Sequence, residues 1–186
     1  ELSNKHVLVM EHIKAPTLES RLSDQSLSWD DLLQLFRIHG AFMFGIGTFH
    51  GDLHPGNAMV DENGMFTFID TGAISHAPDS VRSALFGFFY YLAKGELDEA
   101  FEAMLTMADT PPTGEAKARY MREMHETYAG FVGKSVSEVS LTQQMMKTVR
   151  IAVLAGCRFG EEAFPIIRSL MYMDGMVLRG HPDVDL

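Results

Sequence analysis

The stretch that decides the fold is HGDLHPGNAMVDENGMFTFIDTG, residues 50–72. Two apolar runs, AMV and FTFI, flank the turn sequence DENG, and this pattern predicts a β-hairpin. We expect Asn57 and Asp70 to oppose each other at its open end, because directly opposed residues lie about 5 Å apart at Cβ and point to one face. An amide oxygen beside a carboxylate suits Mg²⁺, although this pair alone would more often be two polar residues facing solvent.

The residues before the hairpin give a stronger reason to expect a catalytic site at its open end. His50, Asp52 and Asn57 follow the spacing H-x-D-x-x-x-x-N, which matches the catalytic loop of protein kinases; a metal-binding Asp comes next in those enzymes. In such a loop the Asp lies on the substrate side, where it accepts a hydroxyl proton or orients a nucleophile. The sequence therefore predicts Asp52 as a catalytic residue and Asn57 and Asp70 as metal ligands.

The segment FIDTG, residues 68–72, also looks like the catalytic loop of an aspartic protease. Those enzymes are built from β-strands and need two such loops, so that two carboxylates share one proton. This chain has one DTG, followed by a helical pattern. We therefore prefer the metal-loop interpretation of Asp70.

The sequence before residue 50 predicts a short strand followed by helices. The apolar run VLVM at 7–10 is typical of a strand, and residues 18–22 fit a short helix. Ser28 is a suitable N-cap for a long helix over 29–49. The second half of that helix is apolar on all sides, so we expect it to be buried.

From Pro78 to the C-terminus the apolar spacing is helical, with breaks at Gly95 and at the sequence PPTG. We find no internal repeat and no linker. The predicted fold class is therefore mainly α, with one small β-hairpin that carries the metal-binding residues. We expect residues 1–186 to form a single unit.

The composition is that of a globular protein, with 46% hydrophobic and 22% charged residues. The formal net charge of −10 argues against a nucleic-acid partner and against a polybasic lipid-binding patch. The longest apolar runs fall short of the roughly 20 residues that a membrane-spanning helix needs. We therefore expect the protein on the cytoplasmic or organelle-matrix side, at most peripheral to a membrane.

Three segments, in order, resemble a kinase C-terminal lobe entered at the hinge: VLVMEHI, HGDLHPGN and FIDTG. The segment SVRSALFGFFYYLAKGELDEAFEAML and the ending FPIIRSLMYMDGMVLRGHPDVDL narrow this resemblance to the UbiB/ADCK atypical kinases. That family is associated with ubiquinone and isoprenoid-lipid metabolism. The resemblance covers nearly the whole chain and implies a protein-kinase-like C-terminal lobe. It also implies ATP and Mg²⁺ as cofactors, with ATP hydrolysis or phosphotransfer as the activity.

The resemblance also assigns site residues. It places Met10 at the gatekeeper position and lets Glu11 and Ile13 offer hinge backbone groups to the adenine ring. The catalytic-loop acid and the magnesium ligands are those already derived from the spacing: Asp52, Asn57 and Asp70. Thr71 departs from the family's usual D-F-G, which puts a Phe-packing switch in doubt but leaves the metal role of Asp70 intact.

The substrate is expected to be small or lipidic, such as a prenylated molecule. Only seven residues separate Asp70 from Pro78, where the next helix is predicted to start, and this leaves little room for a peptide-docking loop. The nucleotide-covering loop and the N-lobe Lys of a kinase do not precede Val7. We therefore expect an N-terminal kinase lobe upstream in a longer polypeptide and little activity from residues 1–186 alone.

Two alternatives stay open at this stage. A small-molecule phosphotransferase of the aminoglycoside or choline kinase type would also contain HGDLHPGN and a following Asp loop. A pseudokinase would keep these motifs while binding nucleotide or lipid as a scaffold. The ending GMVLRGHPDVD favours the UbiB type over the first alternative.

Overall fold

Helices make up most of the chain in the computed structural model, which describes residues 3–131, 134 and 138–184. The helices are α1 Leu18–Ser23, α2 Trp29–Gly40, α3 Asp79–Lys94, α4 Leu97–Leu105, α5 Gly114–Tyr128, α6 Leu141–Leu154 and α7 Ala163–Gly180. The strands are β1 Thr48–His50, β2 Ala58–Val60, β3 Phe66–Phe68 and β4 Ile74–His76. The predicted class, mainly α with a small hairpin, is confirmed.

Helix α2 begins as the sequence predicts. The Ser28 hydroxyl accepts a hydrogen bond from the Asp31 backbone N–H at 3.1 Å, and the Asp31 carboxylate accepts one from the Ser28 N–H at 3.2 Å. This capping box satisfies two backbone donors that the first helical turn leaves without partners. The predicted N-cap is therefore confirmed.

The predicted single helix over 29–49 is wrong in its second half. Helix α2 passes into a π-helical turn at Ala41–Ile46 and stops at Gly47, whose φ of 79° is left-handed. Glycine adopts that conformation without a Cβ penalty, so the chain can turn there and continue as β1. The expected complete burial is also wrong, because Ile46 is 65% exposed.

The hairpin forms, but its register differs from the predicted one by one residue. Strands β2 and β3 pair Ala58 with Phe68 and Val60 with Phe66. The connection is tighter than expected: the Asp61 N–H donates to the Met65 carbonyl at 3.1 Å. Gly64, with φ of 76°, makes this three-residue turn possible.

A second two-stranded sheet, which the sequence pattern did not predict, lies next to the hairpin. Strand β1 pairs antiparallel with β4, with Phe49 opposite Ser75. The helical prediction from Pro78 onward is unaffected, since β4 ends at His76. This sheet connects the entry to the loop at residues 51–57 with the segment that follows Asp70.

The predicted strand at 7–10 is absent from the described structure. Val7 forms only an isolated bridge with Asn4, and residues 8–10 lie outside the strands. The chain joins the hairpin farther along, where Val60 donates its N–H to the Pro16 carbonyl at 3.2 Å. Short apolar runs adopt β structure only when another strand edge pairs with them.

Two hydrophobic clusters lie beneath this framework. One is formed mainly by α3 to α6 and includes the fully buried rings of Phe88, Phe101 and Tyr120. The other joins α1, α2 and the hairpin, and contains Leu53 at its centre with no exposed surface. Helix α7 contributes to both clusters, through Ile166 to the first and Met176 to the second.

Candidate functional site

The middle of the loop at residues 51–57 is anchored by two buried side chains. Leu53 is fully buried in the second cluster, and Pro55, which opens the 3₁₀ turn Pro55–Asn57, is buried as well. His54 caps that turn: its Nδ1 accepts a hydrogen bond from the Gly56 N–H at 3.1 Å. The backbone of the loop is therefore fixed, while the polar side chains beside Leu53 point outward.

His50 links the loop to the end of β3. Its Nδ1 lies 3.3 Å from the Asp52 N–H and accepts from it, so Nε2, 3.0 Å from the Ile69 carbonyl, carries the ring proton and donates. Both ring nitrogens are thus used in contacts with backbone groups. His50 therefore fixes the distance between Asp52 and the residue before Asp70.

Gly51 allows the loop to approach the segment that follows Asp70. Its N–H donates to the Ala73 carbonyl at 2.8 Å. A Cβ at this position would lie 2.9 Å from that carbonyl and would also overlap the Ser75 side chain. A larger residue cannot be accommodated without separating the two segments.

Asp52 projects from this loop with 33% of its side-chain surface exposed. Its backbone carbonyl accepts a hydrogen bond from Asn57 Nδ2 at 3.0 Å. Its carboxylate Oδ1 lies 3.9 Å from Arg168 Nε, on helix α7. The carboxylate is thus open to solvent on one side and close to a fixed positive charge on the other.

The structure corrects the predicted pairing of Asn57 with Asp70. The residue that continues the ladder opposite Asn57 is Ile69, whose N–H donates to the Asn57 carbonyl at 2.9 Å. Asp70 is the next residue, exposed and in a left-handed conformation with φ 54° and ψ 54°. Because the register differs by one residue, the two predicted ligands are not directly opposed. Asp70 follows the residue that is opposite Asn57.

The oxygen donors at this end of the hairpin are of the chemical type that Mg²⁺ binds. Because Asn57 donates through Nδ2, its Oδ1 remains as a ligand atom, and the Asp70 carboxylate adds hard oxygens. Within residues 3–131, 134 and 138–184, no three His, Cys, Asp or Glu side chains cluster as a self-sufficient metal site. An ion held by Asn57 and Asp70 would take its remaining ligands from water and phosphate.

The predicted adenine-contacting residues lie before the hairpin. Met10 is 63% exposed, Glu11 is exposed and Ile13 is half-buried. The bridge between Thr17 and Met59 ties the chain to β2 only four residues after Ile13. At about 3.5 Å per extended residue, Ile13 lies within roughly 14 Å of that strand.

Sequence patterns did not identify the contribution of α7. Arg168 Nε donates to the Gly51 carbonyl at 2.8 Å, and the Tyr172 ring lies edge-on to the His54 ring with centroids 5.4 Å apart. Partial burial and the neighbouring Asp52 carboxylate raise the pKa of the Tyr172 hydroxyl. The local signal in the sequence is that Arg168 and Tyr172 lie one turn apart on a largely apolar helix.

A pocket of about 220 Å³ opens beside Thr71. Its walls are largely apolar and include Phe42, Phe68 and Ile74. Phe42 and Ile74 are 43% and 44% exposed, so the apolar lining continues onto the surface.

Among the helices of the described residues, none combines the length and apolar character that crossing a bilayer requires.

Comparison with known proteins gives one family. The family model of the ABC1 atypical kinase-like domain matches residues 1–104. A "Probable protein kinase UbiB" from Histophilus somni is 23% identical over 193 aligned positions, which cover 98% of this chain and 35% of that protein. The match runs through α7, beyond the region covered by the family model.

Two chloroplast proteins of Arabidopsis thaliana match shorter stretches. "Protein ACTIVITY OF BC1 COMPLEX KINASE 8, chloroplastic" is 35% identical over 74 residues, which cover 39% of this chain and 10% of that protein. "Protein ACTIVITY OF BC1 COMPLEX KINASE 3, chloroplastic" is 29% identical over 107 residues, or 56% of this chain and 14% of that protein. The chain thus spans about a third or less of the length of the relatives it matches.

Proposed function

The chain belongs to the ABC1 atypical kinase-like family, and we propose that it is the catalytic lobe of an ATP- and Mg²⁺-dependent atypical kinase or ATPase. The observation that carries this proposal is the hydrogen bond from Asn57 Nδ2 to the Asp52 carbonyl. It joins the proposed base and a proposed metal ligand in one rigid loop. Asp70 follows the residue paired with Asn57, so all three groups lie at the same end of the hairpin.

Each residue has a distinct proposed role. Asp52, exposed on one side, would accept the proton of the attacking hydroxyl or water. Asn57 and Asp70 would hold Mg²⁺, which would neutralise charge that develops on the phosphoryl group supplied by ATP. Met10, Glu11 and Ile13 would contact the adenine ring, with an N-terminal lobe covering the nucleotide from the other side.

The acceptor is proposed to be a small or lipidic molecule, in keeping with a UbiB-type role in ubiquinone or isoprenoid-lipid biosynthesis. The segment after Asp70 supports this, since residues 71–76 form a 3₁₀ turn and strand β4. Because β4 is paired with β1, this segment is not available as a free loop to dock a peptide. The apolar pocket beside Thr71 offers a surface that suits an isoprenoid or aromatic group.

The test uses a longer form of the protein that includes the region upstream of Glu1. We expect Mg²⁺-dependent ATP hydrolysis, stimulated by a prenylated phenol or by liposomes. Asp52→Asn should lower turnover by about 10²–10⁴-fold, the usual effect of removing a positioned base. Asp70→Asn should instead raise the Mg²⁺ concentration required. The exposed Asp109→Asn is the matched control and should change neither quantity.

Several outcomes would contradict the proposal. If Asp52→Asn left turnover unchanged, Asp52 would not be the base. If Asp70→Asn left the Mg²⁺ requirement unchanged, Asp70 would not be a metal ligand. Preferential phosphorylation of an aminoglycoside or choline would instead support the small-molecule phosphotransferase. Nucleotide binding without turnover under all conditions would support a pseudokinase scaffold. Robust phosphorylation of a folded protein would overturn the proposed substrate class.

A further inference from the structure

Helix α7 lies across the loop that carries the proposed base. Arg168 Nε donates to the carbonyl of Gly51 at 2.8 Å, the residue immediately before Asp52. The same Nε lies 3.9 Å from Asp52 Oδ1. One guanidinium therefore contacts both the backbone of the loop and the carboxylate that the loop presents.

Tyr172 lies one helical turn after Arg168 and faces the same loop. Its ring packs edge-on against His54, whose own Nδ1 caps the following 3₁₀ turn. Partial burial and the neighbouring Asp52 carboxylate raise the pKa of its phenol. The loop is thus contacted from α7 on both sides of Asp52.

Other contacts fix the position of α7. Ser169 is fully buried, and its Oγ lies 3.1 Å from Nε2 of His39 on α2. Farther along the helix, Arg179 donates two hydrogen bonds to the Glu19 carboxylate on α1, at 2.9 and 2.7 Å. Arg168 and Tyr172 are therefore not needed to attach the helix to the rest of the molecule.

We propose that Arg168 and Tyr172 are positioning residues for Asp52. The Arg168 guanidinium contacts the loop backbone at Gly51 and the Asp52 carboxylate, and the Tyr172 ring packs against His54, so the two side chains hold this part of the loop in place. They also restrict the rotamers of Asp52, so that the carboxylate is oriented before a substrate arrives. This inference rests on the proposed function for one point, the role of Asp52 as a base. The contacts of Arg168 and Tyr172 with the loop are features of the 186-residue chain and do not depend on that role. Residues 163–180 lie outside the region that the family model matches.

The first experiment tests the contact without any activity. The phenol of Tyr172 is titrated in the 186-residue chain by NMR of ¹³C-labelled tyrosine, with Tyr172→Phe to assign the signal. Asp52→Asn should lower the pKa of this phenol, and Arg168→Gln should raise it, because the guanidinium opposes the effect of Asp52. Asp109→Asn should leave it unchanged. A phenol that does not respond to Asp52→Asn would overturn the proposal, whether or not the chain is part of an enzyme.

The second experiment measures turnover in the longer protein. Arg168→Gln and Tyr172→Phe should each lower kcat by roughly tenfold with little change in KM for Mg²⁺-ATP, as expected when a reacting group is misplaced rather than lost. Arg168→Lys should recover part of the loss. Arg179→Gln, on the same helix but paired with Glu19 of α1 rather than with Asp52 or Gly51, should not change kcat.

A double-mutant cycle separates positioning from a general structural effect. Once Asp52 is replaced by Asn, Arg168→Gln should cost nothing further, because the group it positions is gone. An equal loss of kcat in both backgrounds would assign Arg168 a structural role and overturn the proposal. A wild-type protein without turnover would count against the proposed function, while the phenol titration would still decide the contact.

Discussion

Asn57 Nδ2 donates a hydrogen bond of 3.0 Å to the backbone carbonyl of Asp52, five residues earlier. This bond closes the loop on itself and fixes the orientation of the amide. The bond uses the nitrogen of the amide, so the Asn57 oxygen remains available as a ligand atom for a cation. One side chain thus has both a structural and a chemical role in the proposed site.

Replacing Asn57 by Asp separates these two roles. The variant keeps an oxygen ligand but sets a carboxylate against the Asp52 carbonyl, where a donor is needed. The hydrogen bond is lost, and the partially negative carbonyl oxygen then faces a carboxylate. Together these changes should lower the free energy of unfolding by about 1–3 kcal/mol. Added Mg²⁺ should raise the melting temperature of Asn57→Asp more than that of the wild type.

Thermal unfolding with and without Mg²⁺ measures this effect. Asn4→Asp is a suitable control, because Asn4 uses its side-chain oxygen as an acceptor for the His6 and Val7 N–H groups and Asp preserves that function. Equal destabilisation of the two variants would show that the donor in Asn57 has no special importance.

The left-handed backbone at Asp70 should restrict which residues are tolerated there. Asn adopts φ near 54° readily, whereas Ala lacks a side chain that compensates for the strain. We expect Asp70→Ala to lower the free energy of unfolding by about 1–2 kcal/mol relative to Asp70→Asn and Asp70→Gly. All three should weaken Mg²⁺ binding, and Asp70→Asn should weaken it least because its amide keeps an oxygen donor.

Urea denaturation in the absence of Mg²⁺ checks this order of stability. Asp109→Ala, at an exposed position without a positive φ, gives the baseline cost of the same substitution. If Asp70→Ala were no less stable than Asp70→Gly, the backbone conformation at Asp70 would differ from the one described.

Gly51 should be intolerant of even a methyl group. Its Cβ position is 2.9 Å from the Ala73 carbonyl, so Gly51→Ala must separate the loop from the segment before β4. Overpacking of this kind costs about 1–3 kcal/mol in unfolding free energy, and turnover in the longer protein should fall with it. Gly45→Ala is the control, since nothing lies within 4 Å of its Cβ position. Equal melting temperatures for the two variants would contradict the close approach.

His39 should make stability depend on pH. Burial, with a smaller effect of His50, lowers the pKa of His39 to about 4 from an ordinary 6.5. The unfolded chain therefore binds a proton between pH 6.5 and 4 that the folded chain does not, and stability must fall as the pH decreases through this window. The loss attributable to this group reaches up to about 3 kcal/mol near pH 4.

Comparison with His39→Gln isolates this effect from the titration of carboxylates. Gln can keep a hydrogen bond to Ser169, so its stability at neutral pH should change little, while the slope between pH 6.5 and 4 should become shallower. His6→Gln, at an exposed position, should leave the slope as it is in the wild type. A wild-type slope in His39→Gln would show that another group is responsible.

The features that sequence reasoning predicted correctly are local ones. The capping box at Ser28, the hairpin around DENG and the break at Gly95 each depend on residues a few positions apart. The same reasoning missed the hairpin register by one residue, because Gly64 permits a tighter turn than the one assumed. It also assigned Thr48 and Phe49 to a helix, because the strand that pairs with them, β4, is distant in sequence: Phe49 pairs with Ser75, 26 residues later.

By itself, the sequence determined the identity and spacing of the proposed chemical groups, Asp52, Asn57 and Asp70, and the helical character of most of the chain. Only the tertiary structure decided which backbone atoms hold those groups and that Arg168 and Tyr172 lie against Asp52. The physical reason is the range of the interactions involved. Caps, turns and helical periodicity follow from the preferences of neighbouring residues, whereas the bond from Arg168 to Gly51 joins positions 117 residues apart and exists only after the two hydrophobic clusters have formed.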